Sequence, residues 1–212
     1  MRQNSNHLEV AELGCVRGEK SIFTGLDFSA HSADVLHLQG RNGSGKTSLL
    51  RILCGLAEPA AGTVRWNGDD IRQNADDYCR DIGYIGHRRG VCEDLTPMEN
   101  VEFASALKTW KSDTECWEAL DRVELTHVAE IPTYQLSAGQ NQRTALACLL
   151  VRDASLWCLD EPFTSLDIDG QAIIETIIAE HSRLGGISVI ASHSPILLSD
   201  IDVKPLRLDP LS

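Results

Sequence analysis

The sequence predicts an α/β fold built on a mainly parallel sheet. Three observations carry that expectation. Short apolar runs alternate with helix-spaced segments toward both ends of the chain. A glycine-rich loop, GRNGSGKT at 40–47, joins a strand-like run to a helix-like one. A further apolar run, SLWCLDEP, ends in two adjacent carboxylates. Strands that alternate with helices imply a mainly parallel sheet covered on both faces.

The elements follow in order. LEVAEL, LDFSA and VLHLQG, within residues 8–40, are rich in alternating or branched apolar residues and read as strands. KTSLLRILCGL reads as a helix, ended by the turn-like AEPAAG. TVRWNG is a strand entering a turn, and DIGYIG a short buried strand. From about 95 to 150 the spacing becomes helical, in TPMENVEFASALKTW, TECWEALDRVEL and SAGQNQRTALACLLV. Thr96 and Pro97 suit a helix cap and first turn. SLWCLDEP is then a strand. IDGQAIIETIIAEHSRLG is an amphipathic helix with Ile173, Ile174, Ile177 and Ile178 on one face. ISVIASH is a strand, and VKPLRLDPLS is too short for a regulatory domain.

The 212 residues suffice for one domain, or one core with a subdomain, and not for two full domains. A net charge of −12 opposes binding to nucleic acid or anionic lipid without a local basic patch. The longest basic cluster, His87 to Arg89, is too short to make one. Seven cysteines include no C-x-x-C pair, so no disulfide or zinc framework is expected, and free thiols in that number fit a reducing, cytosolic compartment. The first ten residues contain no apolar core segment of a signal peptide. No stretch of about 18 apolar residues is present to span a membrane.

GRNGSGKT fits the G-x-x-x-x-G-K-[ST] pattern, with Gly40, Gly45, Lys46 and Thr47 in place. Its chemistry requires these residue types. Glycines let backbone N–H groups converge on phosphates without a Cβ in the way. The helix that starts near Lys46 aims its positive end at them. Lys46 supplies a point charge to the β- and γ-phosphates of a nucleotide, and the Thr47 hydroxyl can ligate Mg²⁺. The phosphate cradle is expected to comprise Gly40, Arg41, Asn42, Gly43, Ser44, Gly45, Lys46, Thr47 and Ser48.

The run SLWCLDEP places Asp160 and Glu161 after four apolar residues. Two carboxylates at the end of such a strand must meet water, a metal or a catalytic task. Ligands gather at the carboxyl ends of parallel strands, which sets Asp160 beside the phosphate loop as a Mg²⁺ holder. Glu161 then stands where a base could polarise an attacking water.

LSAGQ at 136–140 narrows the field. It resembles the LSGGQ signature of the ATP-binding-cassette (ABC) ATPases, with Ala138 for the first glycine. TSLD at 164–167 resembles that family's D-loop, SHSP contributes His193 as a switch histidine, and LTPMENVEF resembles the opening of its helical subdomain. The resemblance covers nearly the whole chain. It implies a P-loop NTPase of ABC ATPase type: a mainly parallel core sheet, an antiparallel β subdomain and a helical signature subdomain. It implies one domain over 1–212, with about 8–94 and 151–212 forming the nucleotide-binding core and about 95–150 the helical part. Ser137 and Gln140 have capping-box spacing, so the motif also starts a helix. The resemblance further implies that Ser137, Gly139 and Gln140 meet the ATP held by a second copy of the chain, in a head-to-tail dimer with two nucleotides at the seam. Catalysis then falls to Glu161, His193 and Lys46, with ATP and Mg²⁺ bound.

Two further positions depart from the family pattern. A glutamine usually follows the GY strand to sense Mg²⁺ and the attacking water. Here GYIGHRRG puts His87 there. A neutral imidazole can accept a hydrogen bond or ligate a metal. Equally, His87 is a local structural residue, with Arg88 reaching out to a partner. The aromatic residue that stacks on adenine is also missing, and Arg17 occupies its place. A guanidinium plane can stack on a purine; the alternative is an ordinary solvated arginine.

Small size, YIGH, LSAGQ and TSLLRILCGL together resemble the ATP-binding subunits of bacterial cytochrome c biogenesis (haem) exporters, although Arg88 replaces the glutamine expected after the histidine. That resemblance implies a peripheral subunit on the cytoplasmic side of the inner membrane, held there by integral permease subunits and binding no nucleic acid. No C-x-x-C-H is present, so haem need not touch this chain. An ABC transporter ATPase for a drug or lipid remains an alternative. A soluble non-transport ABC ATPase is disfavoured by the single cassette, the lack of a heptad insert and the acidic charge.

Overall fold

The computed structural model describes residues 5–87, 90–108 and 110–208. The chain begins with a long hairpin, β1 (His7–Arg17) and β2 (Lys20–His31), with Arg17 opposite Lys20 at the turn. β1 also pairs antiparallel with β4 (Ala61–Trp66), which pairs with the two-residue β5 (Asp69–Asp70). The order across this antiparallel sheet is β2-β1-β4-β5. Along β1 the inward positions are first Leu8 and Val10, then Leu13 and Cys15. The parity changes because the register to both neighbours slips between Val10 and Gly14, with Glu12 at φ 51°. A bulge adds one unpaired residue and so returns the next side chains to the same face.

The second sheet holds β3 (Val35–Gln39), β6 (Ile82–Ile85), β7 (Leu156–Asp160), β8 (Ile187–Ala191) and β9 (Val203–Arg207). Its order is β6-β7-β8-β3-β9 and every pairing is parallel. Period-2 alternation divides its side chains between two cores. Leu36, Leu38, Leu156, Cys158, Ile187 and Val189 join helix α1 (Lys46–Leu53) and the antiparallel sheet in one core. Val35, Trp157, Leu159 and Ile190 face the other, which is built with α3 (Pro97–Ala106), α4 (Asp113–Arg122), α5 (Ala138–Leu150) and α6 (Ile168–Arg183). Burial on both faces explains why β7 and β8 read as continuous apolar runs.

Helix starts follow the local chemistry. Thr96 with Glu99, Ser112 with Glu115, and Ser137 with Gln140 each form a reciprocal capping box at the start of α3, α4 and α5. The Asp167 side chain accepts from Gly170 N at the start of α6. On α6, Ile174, Ile177 and Ile178 are buried and Ile173 is partly so, as their spacing predicts.

Two elements lie beyond the sequence reading. The polar seven-residue α2 (Ala75–Asp81) is anchored by one side chain, Tyr78, whose hydroxyl donates to the Leu53 carbonyl at the end of α1. β9 adds the terminal segment to the parallel sheet despite Pro205, which an edge strand tolerates because one side of its backbone needs no ladder partner. All seven cysteines are free. The neighbouring Cys54 thiol, then burial, push the Cys158 thiol well above its usual range, so it behaves as an apolar group.

Candidate nucleotide site

The phosphate loop leaves the sheet where β3 ends at Gln39 and turns into α1 at Lys46. Gly45 caps that helix at φ 102°, and a Cβ on it would stand 2.5 Å from Ile22 Cγ2 and 3.0 Å from Phe23. Only glycine meets both demands, so the loop lies directly on β2. The Lys46 ammonium spans the loop and donates to the Gly40 carbonyl at 2.8 Å. Ser44 N donates to Arg41 O at 3.1 Å, and Ser44 Oγ is buried without a partner.

The acidic strand end meets this loop from β7. Asp160 is buried and its Oδ2 accepts from Thr47 Oγ1 at 2.8 Å. Tyr84 on the adjacent β6 is pushed up to about 12, first by burial and then by the Asp160 charge, so its phenol stays protonated. Glu161 has φ 52°, outside the region ordinary residues prefer, and its N–H donates to the Ala191 carbonyl at 2.8 Å. That conformation costs about 1 kcal/mol and turns the chain off the sheet immediately after Asp160. Glu161 Oε1 is buried without a hydrogen-bond partner, 3.5 Å from His193 Nε2. His193 N donates to Glu161 Oε2 at 3.4 Å, a long contact.

These groups surround one cleft of about 310 Å³. Its walls carry Arg41, Asn42, Gly43, Gly45, Lys46, Thr47 and Ser48 from the loop, Asp160 and Glu161 from β7, and His193. Arg17 and His87 also face it, with Ile22 of β2 against the loop. Gly40 and Ser44 lie beneath, closely packed: a Cβ on Gly40 would be 2.4 Å from Ser44 Oγ and 2.9 Å from the Leu208 carbonyl. Arg88, considered above as a partner contact, lies outside the described residues.

Ser137, Gly139 and Gln140 are absent from the walls of this cleft. They form the start of α5, where Gln140 N donates to Ser137 Oγ at 3.1 Å and Ser137 N to Gln140 Oε1 at 2.9 Å. Ser137 is exposed there. A Cβ on Gly139 would stand 2.8 Å from the Ser165 carbonyl, so the signature turn packs against the 164–167 turn of the same chain. Sequence reasoning missed the support beneath His193. His37 Nε2 lies 3.0 Å from the Ser192 carbonyl, and Gln39 Nε2 lies 3.1 Å from His37 Nδ1. The available signal was an imidazole between two leucines in the strand VLHLQ.

The sequence profile of the ABC transporter family matches residues 23–164. A cytochrome c biogenesis ATP-binding export protein from Histophilus somni is 42% identical, over 97% of this chain and 94% of its own. One of the same name from Dechloromonas aromatica is 42% identical, over 95% of this chain and 99% of its own. A solved structure, a putative ABC transporter ATP-binding protein from Pyrococcus furiosus, superposes with a TM-score of 0.82 at 25% identity, covering 95% of this chain and 97% of that one. With fold, matched segment and near full-length identity in agreement, the chain belongs to the ABC transporter family, among the cytochrome c biogenesis ATP-binding export proteins.

Proposed function

We propose that this chain is the ATP-hydrolysing subunit of an export complex that serves c-type cytochrome biogenesis, with haem as its cargo. The observation that carries the hydrolytic reading is the Glu161 carboxylate on the wall of the phosphate-loop cleft, with Oε1 3.5 Å from His193 Nε2. A carboxylate so placed can accept a proton from water attacking the γ-phosphate, while His193 contacts that phosphate. Lys46 binds the β- and γ-phosphates, and the backbone of 40–48 cradles them. Thr47 and Asp160 would hold Mg²⁺. Their oxygens already meet at 2.8 Å, and hard oxygen donors with room for water and phosphate suit that ion. When bound, it neutralises charge on the phosphates.

The signature turn supports a shared site. Ser137, Gly139 and Gln140 offer a helix N-terminus away from their own cleft, so they can serve the nucleotide of a second copy. ATP then holds the pair together and hydrolysis lets it part. The whole chain acts as one ATPase domain, with about 8–94 and 151–212 as core and about 95–150 as a helical part. Arg17 and His87 face the cleft, as adenine platform and as sensor of the metal and attacking water, respectively. Alanine at Arg17 should weaken ATP affinity, and alanine at His87 should slow Mg²⁺-dependent turnover. Unchanged titration and rate would make both ordinary surface residues.

Among the described residues no helix is long and apolar enough to cross a membrane. In this reading, attachment to the cytoplasmic side of the inner membrane runs through permease subunits. Phe103, Leu107 and Trp110, 65%, 64% and 73% exposed in and after α3, provide apolar surface for them. The test is co-purification of the tagged full chain from detergent-solubilised membranes. Integral proteins needed for c-type cytochrome maturation are expected to accompany it. Recovery of a drug or lipid permease alone would reject the cargo assignment and keep the ATPase.

A further inference from the structure

His37 lies in the middle of β3, between β8 and β9, opposite Ile190 and Pro205. It is 7% exposed, among Val35, Leu36 and Leu38, which are 5% exposed or less. A buried imidazole needs partners on both nitrogens. Its Nε2 faces the Ser192 carbonyl at 3.0 Å, and a carbonyl only accepts, so Nε2 carries the proton. Nδ1 is then an acceptor and receives the Gln39 amide at 3.1 Å. The tautomer is thus set by two neighbours, and the ring is fixed in orientation.

What His37 grips is the residue before His193. Ser192 is itself buried, and its hydroxyl bridges to Ser194, donating to the carbonyl at 3.1 Å and accepting from the N–H at 3.1 Å. A cleft of about 430 Å³ runs behind this segment, lined by His37, Gln39, Ser192, His193, Pro195 and Ile196. Solvent space on that side leaves residues 192–195 dependent on their hydrogen bonds for position, up to Ile196, which is buried in the core. Ala191, the last residue of β8, is tied to Glu161 through its carbonyl. His37 extends that hold by one residue.

We infer that His37 is a positioning residue for hydrolysis: through the Ser192 carbonyl it fixes the turn that sets His193 against Glu161 and the γ-phosphate. The inference rests on the role given to His193 above. His37 touches no wall of the nucleotide cleft, so its removal should leave nucleotide binding alone. Reaction geometry is less forgiving, since a shift of about 1 Å at a reacting group costs on the order of a hundredfold.

The test measures ATP hydrolysis by the full chain together with the membrane proteins that co-purify with it. His37→Leu removes both hydrogen bonds at similar volume. It should lower kcat about tenfold or more and leave KM within about twofold. His37→Gln places an amide donor near the Nε2 position and should restore kcat to within about threefold; His37→Asn is too short and should stay slow. In a His193→Ala background, His37→Leu should change kcat by less than about twofold, because residues that act as one unit are not additive. A wild-type kcat for His37→Leu, equal rates for the Gln and Asn variants, or an additive loss beside a slow His193→Ala would overturn the positioning role alone. Wild-type turnover by His193→Ala would instead overturn the assignment of His193, and the positioning role with it. Where the leucine variant does not fold, the glutamine and asparagine pair decides.

Discussion

Glu161→Gln is expected to lower ATP turnover at least about a hundredfold while keeping ATP bound, and to accumulate a dimer of the chain. The carboxylate lines the phosphate-loop cleft with Oε1 3.5 Å from His193 Nε2, so it stands where it can take a proton from a water in the cleft. Glutamine keeps the shape and loses the basicity. It also leaves Asp160, Thr47 and Lys46 untouched, so binding persists. If the signature turn of one copy closes the cleft of another, ATP that is bound and not hydrolysed holds the two together. Phosphate release and light scattering with saturating Mg-ATP measure the two effects. A variant that hydrolyses at the wild-type rate removes Glu161 as the base. A slow variant that stays monomeric with its membrane partners present removes the shared site and keeps the base.

Lys46→Ala should weaken ATP binding by about 10- to 100-fold. Lys46 is 9% exposed and its ammonium is held over the loop by the Gly40 carbonyl, a position that costs little further ordering when phosphate arrives. A hydrogen bond to a charged group contributes roughly 1.5–3 kcal/mol, and about 1.4 kcal/mol is tenfold in affinity. Fold stability should change little, because the space left by the truncated side chain lets water reach the freed Gly40 carbonyl. Titration with a fluorescent ATP analogue measures the loss; affinity within about threefold of wild type would rule out direct phosphate contact by this lysine. Salt should weaken wild-type binding more than that of the variant, since part of the attraction is between full charges.

Much of this arrangement was legible because it depends on local order. The strand–GRNGSGKT–helix passage needs only neighbouring residues, and Gly45 at φ 102° on β2 shows why the loop tolerates no side chain there. The cap at Thr96 and the capping box at Ser137 follow from residue types and spacing within one turn. The run SLWCLDEP announced a buried strand with acids at its end because both its faces are covered. The short helix α2 was not legible: its seven residues carry one buried anchor, Tyr78, and no apolar stripe. β9 was hidden by Pro205 and by exposure on one side, which leave no alternation to read.

Sequence by itself identified an ABC-type ATPase fold and the three motifs GRNGSGKT, SLWCLDEP and LSAGQ. Each of those is a short motif whose residue types carry their own chemistry. Only the tertiary structure decided which motifs share a cleft. The parallel sheet order β6-β7-β8-β3-β9 brings Asp160, Glu161 and His193 to the loop after β3 and leaves Ser137 to Gln140 elsewhere. It also brought His37 under Ser192, a contact between residues 155 positions apart. Pairing of distant strands sets such neighbours, and no local pattern records which strands will pair.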